Sequence, residues 1–527
     1  MAIVKDGLDS VVEWEMTVNQ RGFVDNCFEE GQHETGIALL DSLRSPTLKP
    51  FPPYIRQLLY LALYPPFTPS PETEESKHNF DLGVPSSPSK LAARQHRSIL
   101  SPTPAVSEAA QDILMAFAQT NSPESLFRAL PSYVLSDIES GANNSVHAVL
   151  DDDEEDDDSP LARQSTRMKE VKNCWEILKE GFIQPRIDVP VSPRVRSRSR
   201  RHHADDDDDD DFSTTPPDLH VVGPHAWPVL EWMIVVFEKD EFTRERNHHS
   251  RYSPLLLARI PPSRTTGGGR WEVATPLDIV LHCLRQEEEE HRLLGVRLMT
   301  LLINLTNSED LNINMFLTAA SSRLSSFDSE QISFLFTRLP WKSLTVMECK
   351  LVLCRGLLMD PTSGVTSNSS TRPKPTFRAQ PRSLASRRKR SDSVAENGAT
   401  AAGNNASDPK AVSTSTRKFP LTTSSDILRL LASSHMASSD LLLSLWIKDE
   451  LVRNFVIIQL WSAESNRDPG WTHVLESGQL IQAVQQSFAT RSRSQELTQQ
   501  VEDLKVSLLS FVETAAYQQA NKFAVHE

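Results

Sequence analysis

Apolar residues along this chain return at steps of three and four far more often than at steps of two, the mark of amphipathic helices rather than half-buried strands. "FPPYIRQLLYLALYPP" (51–66) is fenced by proline: Pro52 and Pro53 open a helix where a missing N–H does no harm, and Pro65 and Pro66 close it. "AVSEAAQDILMAFAQT" sets Val106, Ala109, Ile113, Leu114 and Phe117 on one face. "SPESLFRALPSYVLSDIESG" predicts Ser122 as an N-cap, Pro123 as the first helical residue and Gly141 as the stop. Met168, Val171, Cys174, Trp175, Leu178 and Phe182 keep helical spacing through "MKEVKNCWEILKEGFI", which predicts one helix there. "WPVLEWMIVVFEKDEF" is apolar nearly all round, as a helix central to a core would be. Near the start, "VVEWEMTV" and "ETGIALLDSLRSP" read as short helices.

The pattern is strongest over 275–358. Thr275-Pro276 starts one helix, and residues 288–306 form another with Leu294, Leu298, Leu301, Leu302 and Leu305 as its stripe. Acid at its start suits the positive end of a helix dipole. Asp328 with Gln331, and Thr345 with Glu348, have capping-box spacing ahead of apolar runs. "SSDILRLLA" and "SSDLLLSLWIKDELVRNFVIIQLWS" continue the helices after a gap. Leu497, Val501, Leu504, Leu508, Phe511 and Ala515 form a short heptad seam, of the length expected of a terminal helix closing a core.

Between these stretches the period is lost. The expected organisation is helices over 1–66, a Ser/Pro-rich disordered insert at 67–103, helices over 104–184 with an acidic loop at 142–162, and a disordered insert at 185–222. A central helical core at 223–359, a disordered insert at 360–422 and a helical region at 423–527 follow. The fold class expected is all-α, an irregular α-solenoid interrupted by long inserts. "RLLGVRLMTLLINLTN", with its leucine-rich helix and trailing Asn, resembles one armadillo or HEAT repeat unit, and "LLDSLRSPTLKPFPPYIRQLLYLAL" has a similar helix-turn-helix look. The resemblance covers about a fifth of the chain and implies a surface that binds proteins.

Composition explains the inserts. Hydrophobic residues make up 39% and prolines outnumber glycines 34 to 18, so much of the chain is expected outside a core. A net charge of −15 disfavours a general nucleic-acid surface. Five irregularly spaced cysteines suit a reduced, intracellular protein. The amino end lacks an apolar signal core, and no apolar run is long enough for a bilayer, so no membrane partner is expected.

No catalytic motif stands out, so no enzyme activity, cofactor or metal is expected. "HCLRQEEEEH" brings His282, Cys283, Glu287–Glu290 and His291 together, but a solvated acidic helix start behind a buried cysteine explains it. His202-His203 and His248-His249 lack cysteine neighbours, and "TTGGGRW" (265–271) lacks the Lys-Ser/Thr of a phosphate loop.

The inserts carry the informative chemistry. Arg387, Arg388, Lys389 and Arg390 are four contiguous cations suited to the acidic grooves of a nuclear import receptor; Arg194, Arg196, Arg198, Arg200 and Arg201 form a second basic stretch, beside Asp205–Asp211. Candidate phosphorylation sites are Ser87, Ser101, Thr103, Ser159, Ser192 and Thr215, each before proline, and Ser391 after the basic run. In "PDLHVV", Leu219, Val221 and Val222 beside acid resemble a SUMO-interacting motif, which adds a strand to a sheet edge. The expectation is a nuclear, non-enzymatic scaffold whose partners are proteins: subunits of a nuclear complex, an import receptor and a proline-directed kinase. A chromosome-associated process (cohesion, DNA repair or replication control) is the sharpest form of it. A ribosome-assembly or transcription adaptor, or an enzyme or enzyme regulator with a site assembled across distant helices, are the alternatives.

Overall fold

A computed structural model describes residues 12–65, 102–131, 133, 159–183, 220–261, 273–359, 419–433, 441–489 and 495–524. The described chain is all-α apart from one two-residue pairing. Its helices are α1 Val18–Glu29, α2 His33–Leu43, α3 Pro52–Ala62, α4 Pro104–Thr120, α5 Pro123–Phe127, α6 Pro160–Glu170, α7 Trp227–Arg246, α8 Pro254–Leu257 and α9 Ala274–Leu284. They continue with α10 Glu289–Asn304, α11 Ile313–Leu324, α12 Ser329–Arg338, α13 Leu344–Leu358, α14 Ser424–Ala432, α15 Leu441–Trp461, α16 Trp471–Glu476, α17 Gln479–Ser487 and α18 Gln495–Ala524.

Proline at the first or second helical position starts α3, α4, α5, α6, α7 and α8. Ser122 caps α5 as expected, accepting from the Ser125 N–H, and Asp328 caps α12, accepting from the Gln331 N–H at 2.8 Å. Helix α7 is buried on nearly every side, with Trp232, Met233, Ile234, Val236 and Phe237 fully enclosed. The stripe Leu294, Leu298, Leu301, Leu302 and Leu305 is buried throughout. In α18 the seam residues Val501, Leu508 and Ala515 are buried, and the helix lies on α15 and α17 of its own chain.

Central helices hand over along the sequence: α4 packs on α7, α7 on α10, α10 on α13, α13 on α15 and α15 on α18. Their buried side chains form one continuous core from Met16 to Ala515. Gly295 sits where α10 crosses α9; a Cβ there would lie 2.7 Å from the Cys283 Cβ and 3.0 Å from the Val280 carbonyl, so the contact needs glycine.

Four expectations are corrected. "VVEWEMTV" is extended, not helical: Trp14–Glu15 (β1) pairs in parallel with Leu48–Lys49 (β2), and the Trp14 N–H donates to the Thr47 carbonyl at 2.7 Å. Thr17 then opens α1 through a capping box with Gln20. The expected single helix through "MKEVKNCWEILKEGFI" is broken. Helix α6 ends at Glu170, Val171 turns extended, and the Asn173 side chain accepts from the Trp175 and Glu176 N–H groups at 3.1 Å each to start a 3₁₀ turn, Cys174–Leu178. The acidic loop stops before Pro160, because Leu161 and Ala162 are buried in α6. Ser343, not Thr345, caps α13; the Thr345 hydroxyl faces Asn307 at 3.5 Å.

Two largely buried charge triplets fasten the stack, with Lys239 and Glu450 their part-exposed members, and charge alone would have placed them on the surface. Lys239, Asp240 and Glu241 of α7 are matched by Lys448, Asp449 and Glu450 of α15. The Lys239 ammonium donates to the Ala118, Gln119 and Asn121 carbonyls at the end of α4, at 2.9, 3.0 and 2.6 Å. Lys448 does the same for α14, donating to the Leu431 and Ser433 carbonyls at 3.0 and 2.8 Å and to the Ser487 hydroxyl at 3.0 Å. Each satisfies carbonyls that a helix end leaves without a partner.

Candidate interaction surface

Among the described residues no group of three or more His, Cys, Asp or Glu is placed to hold a metal ion. The region around "HCLRQEEEEH" shows why. His282 and His291 each stack on the Trp227 ring, with centroids 5.7 and 3.9 Å away. His220 lies 5.7 Å from His282, and Glu288 takes the His291 Nδ1 at 3.0 Å. Burial, with His220 and Arg285 beside it, holds the His282 imidazole below its usual range. Four of the five cysteine thiols, all but Cys27, are buried: burial pushes Cys174 and Cys283 up to about 12 and Cys349 higher still. Thiols held protonated in this way are poor nucleophiles. His248 and His249 are exposed in the turn after α7, where His248 takes a left-handed φ of 62°. No helix among the described residues is long and apolar enough to cross a membrane.

The residues singled out in the inserts divide sharply. Arg387, Arg388, Lys389, Arg390 and Ser391 lie outside the described residues, as do Ser87, Ser101, Ser192, Thr215, Leu219 and the Arg194–Arg201 stretch. Thr103, Ser159, Val221 and Val222 lie inside, and two of these placements change the reading. Ser159 is 2% exposed and immediately precedes α6, so a kinase cannot reach it in the folded chain. Val222 is likewise 2% exposed; the Gly223 N–H beside it donates to the Leu178 carbonyl at 2.8 Å, and the Glu180 N–H donates to the His220 carbonyl at 3.1 Å. A valine held in this way is not free to join a partner's sheet. Thr103 is exposed, but its hydroxyl is the N-cap of α4, accepting from the Val106 N–H at 3.2 Å.

Sequence reasoning missed the aromatic surface at the seam of α13 and α15. Trp341, in the turn before α13, is 60% exposed, and Trp461, at the end of α15, is 50% exposed; their ring centroids are 6.3 Å apart. The start of one helix therefore meets the end of the other, so the two run antiparallel. Leu344 continues the exposed surface at the first residue of α13. Phe419, Pro420, Leu421 and Thr422 run along the same seam and, with Glu348, Leu351, Ile458 and Gln459, line a small, shallow cleft. Lys342 holds its ammonium 5.4 Å over the Trp341 ring. A tryptophan in the turn "LPWKS" has no helical stripe to join, which marks Trp341 alone and not its meeting with Trp461.

Comparison with protein-family models, with curated proteins and with solved structures finds no match to this chain.

Proposed function

We propose that the chain is a non-enzymatic nuclear scaffold or adaptor, built as an irregular armadillo- or HEAT-like solenoid that binds partner proteins along its helical surface. It acts in a chromosome-associated process (cohesion, DNA repair or replication control) under proline-directed phosphorylation. The observation that supports this reading is the hand-over of central helices from α4 through α7, α10, α13 and α15 to α18, a largely one-dimensional order in which each packs on the next. The repeated Lys-Asp-Glu triplet on α7 and α15 adds to it, because it gives two separated central helices the same largely buried fastening. Arg387–Arg390 supplies the import signal, and the overall charge of −15 favours basic protein partners over nucleic acid.

Affinity purification of the full chain from cycling cells, with partners identified by mass spectrometry, tests the reading. A stable, stoichiometric set of chromosome or repair subunits is the expected result. Recovery of import receptors and kinases alone would overturn the scaffold. Deletion of residues 372–391 should abolish nuclear accumulation, and unchanged accumulation would remove Arg387–Arg390 from that role.

A further inference from the structure

The exposed indoles of Trp341 and Trp461 stand at a seam whose neighbouring chain is unusually basic. Residues 360–417 carry ten lysines and arginines against four acids, a net charge of +6 in a chain of −15. This segment leaves the described fold after Met359, at the end of α13, and returns at Phe419, in the cleft between α13 and α15, the two helices whose ends bear the tryptophans. Arg387 comes twenty-eight residues after Met359, and Arg390 twenty-eight residues before Lys418. Twenty-eight residues can span up to roughly 90 Å. The farther anchor is only one helix length from the tryptophans, about 22 Å for the fifteen residues of α13. Both tethers reach the seam with length to spare.

The chemistry of the surface fits the segment. Tryptophan faces attract cations, and a planar guanidinium stacks on an indole better than an ammonium does. The Trp341 face already draws Lys342. Glu464, 85% exposed, lies three residues beyond Trp461 in the turn that follows α15. The leucines at 344 and 421 give the arginine stems an apolar bed.

The geometry points to the seam of α13 and α15 as a docking site for this chain's own basic run, Arg387–Arg390, with the two indoles taking guanidinium groups on their faces. Because the run is tethered at both ends beside its site, docking is intramolecular, and an intrinsic affinity in the millimolar range holds a large share of it in place. The docked run is withheld from any acidic groove of a partner. Docking stands apart from the import reading, since it concerns contact within the purified chain and not use by a receptor.

Limited trypsin digestion of the full chain tests it, with cleavage within Arg194–Arg201 as the internal reference. In Trp341→Ala/Trp461→Ala, cleavage within Arg387–Arg390 should speed up about fivefold or more while the reference rate is unchanged. Equal rates in the two proteins would overturn the proposal. So would protection that fades on hundredfold dilution, since the occupant would then be a second copy. A second measurement avoids altering the folded surface: R387Q/R388Q/K389Q/R390Q should raise the fraction of tryptophan emission quenched by acrylamide. An unchanged fraction would overturn the assignment equally. Nuclear accumulation of the Trp341→Ala/Trp461→Ala chain is scored separately, so the import reading can fail while the docking stands, and the reverse.

Discussion

Helices α7 and α15 carry nearly the same phrase, "FEKDEFTR" at 237–244 and "WIKDELVR" at 446–453, and use it in the same way. In both, the lysine ties down the end of another helix. In both, the arginine covers an aromatic ring: Arg244 lies 4.2 Å over Tyr252 and Arg453 lies 5.1 Å over Phe511. The company differs. Lys239 is half-buried, and the charges of Glu13 and Glu124 partly offset the burial that lowers its pKa. Lys448 is buried, has burial alone acting on it, and donates only to neutral oxygens. Glu241 is shared between Asn304 and a half-exposed Arg251, whereas Glu450 faces the buried Lys350 at 2.8 Å. The comparison teaches that one lysine fastening can be forgiving where water reaches its ammonium and brittle where water does not.

The glutamate position separates the two most strongly. Lys350→Met removes the buried cation from the part-buried Glu450, which keeps only its hydrogen bond from Asn454, and should cost about 3 kcal/mol in urea unfolding. Glu241→Gln, which keeps an acceptor for Asn304, should cost about 1–2 kcal/mol. Adding Glu450→Leu to Lys350→Met should restore most of the loss, and equal costs at the two positions would dissolve the contrast. The lysine position comes next. Lys448→Met removes a buried ammonium and should cost about 2–3 kcal/mol, against about 1 kcal/mol for Lys239→Met, where water reaches the half-buried ammonium position. Hydrogen exchange at the end of α14 should accelerate in the first variant.

The aspartates give a smaller effect, visible in pH dependence. Burial raises the pKa of both Asp240 and Asp449 above the usual aspartate range. The folded chain therefore holds a proton longer than the unfolded chain does. Stability falls as pH rises from about 4 through the folded pKa, and it is fully present below that window. Asp449→Asn and Asp240→Asn should each flatten this fall in thermal unfolding followed between pH 4 and 7; an unchanged slope would mean that the carboxylates are not desolvated. Smallest of all is Arg338→Ala, which breaks an exposed pair with Glu289 and should change stability by less than about 0.5 kcal/mol.

Helices with a continuous apolar stripe or proline punctuation were legible from residues alone, as α3, α7 and α10 show. What escaped was set by single polar contacts. Helix α1 buries only Val24 and Phe28, too few to make a stripe, and is fixed instead by Thr17. The break after α6 depends on one asparagine that accepts from two N–H groups. The lysine fastenings escaped because a charged residue in a helix reads as solvated until the helix end it serves is known. The Trp341–Trp461 pair joins residues 120 positions apart, and no local pattern announces such a meeting.

Thr103-Pro104, Ser122-Pro123, Ser159-Pro160 and Ser253-Pro254 all stand where a helix begins. The spelling that a proline-directed kinase recognises is thus also the spelling of a helix start. Ser253 donates to Asp240 and caps α8, and it is as inaccessible as Ser159. A phosphate on either serine would have to be added before its helix closed, or after it had come apart. Such a mark would date the molecule: it would record a chain caught during synthesis or damage, not a finished one receiving a signal.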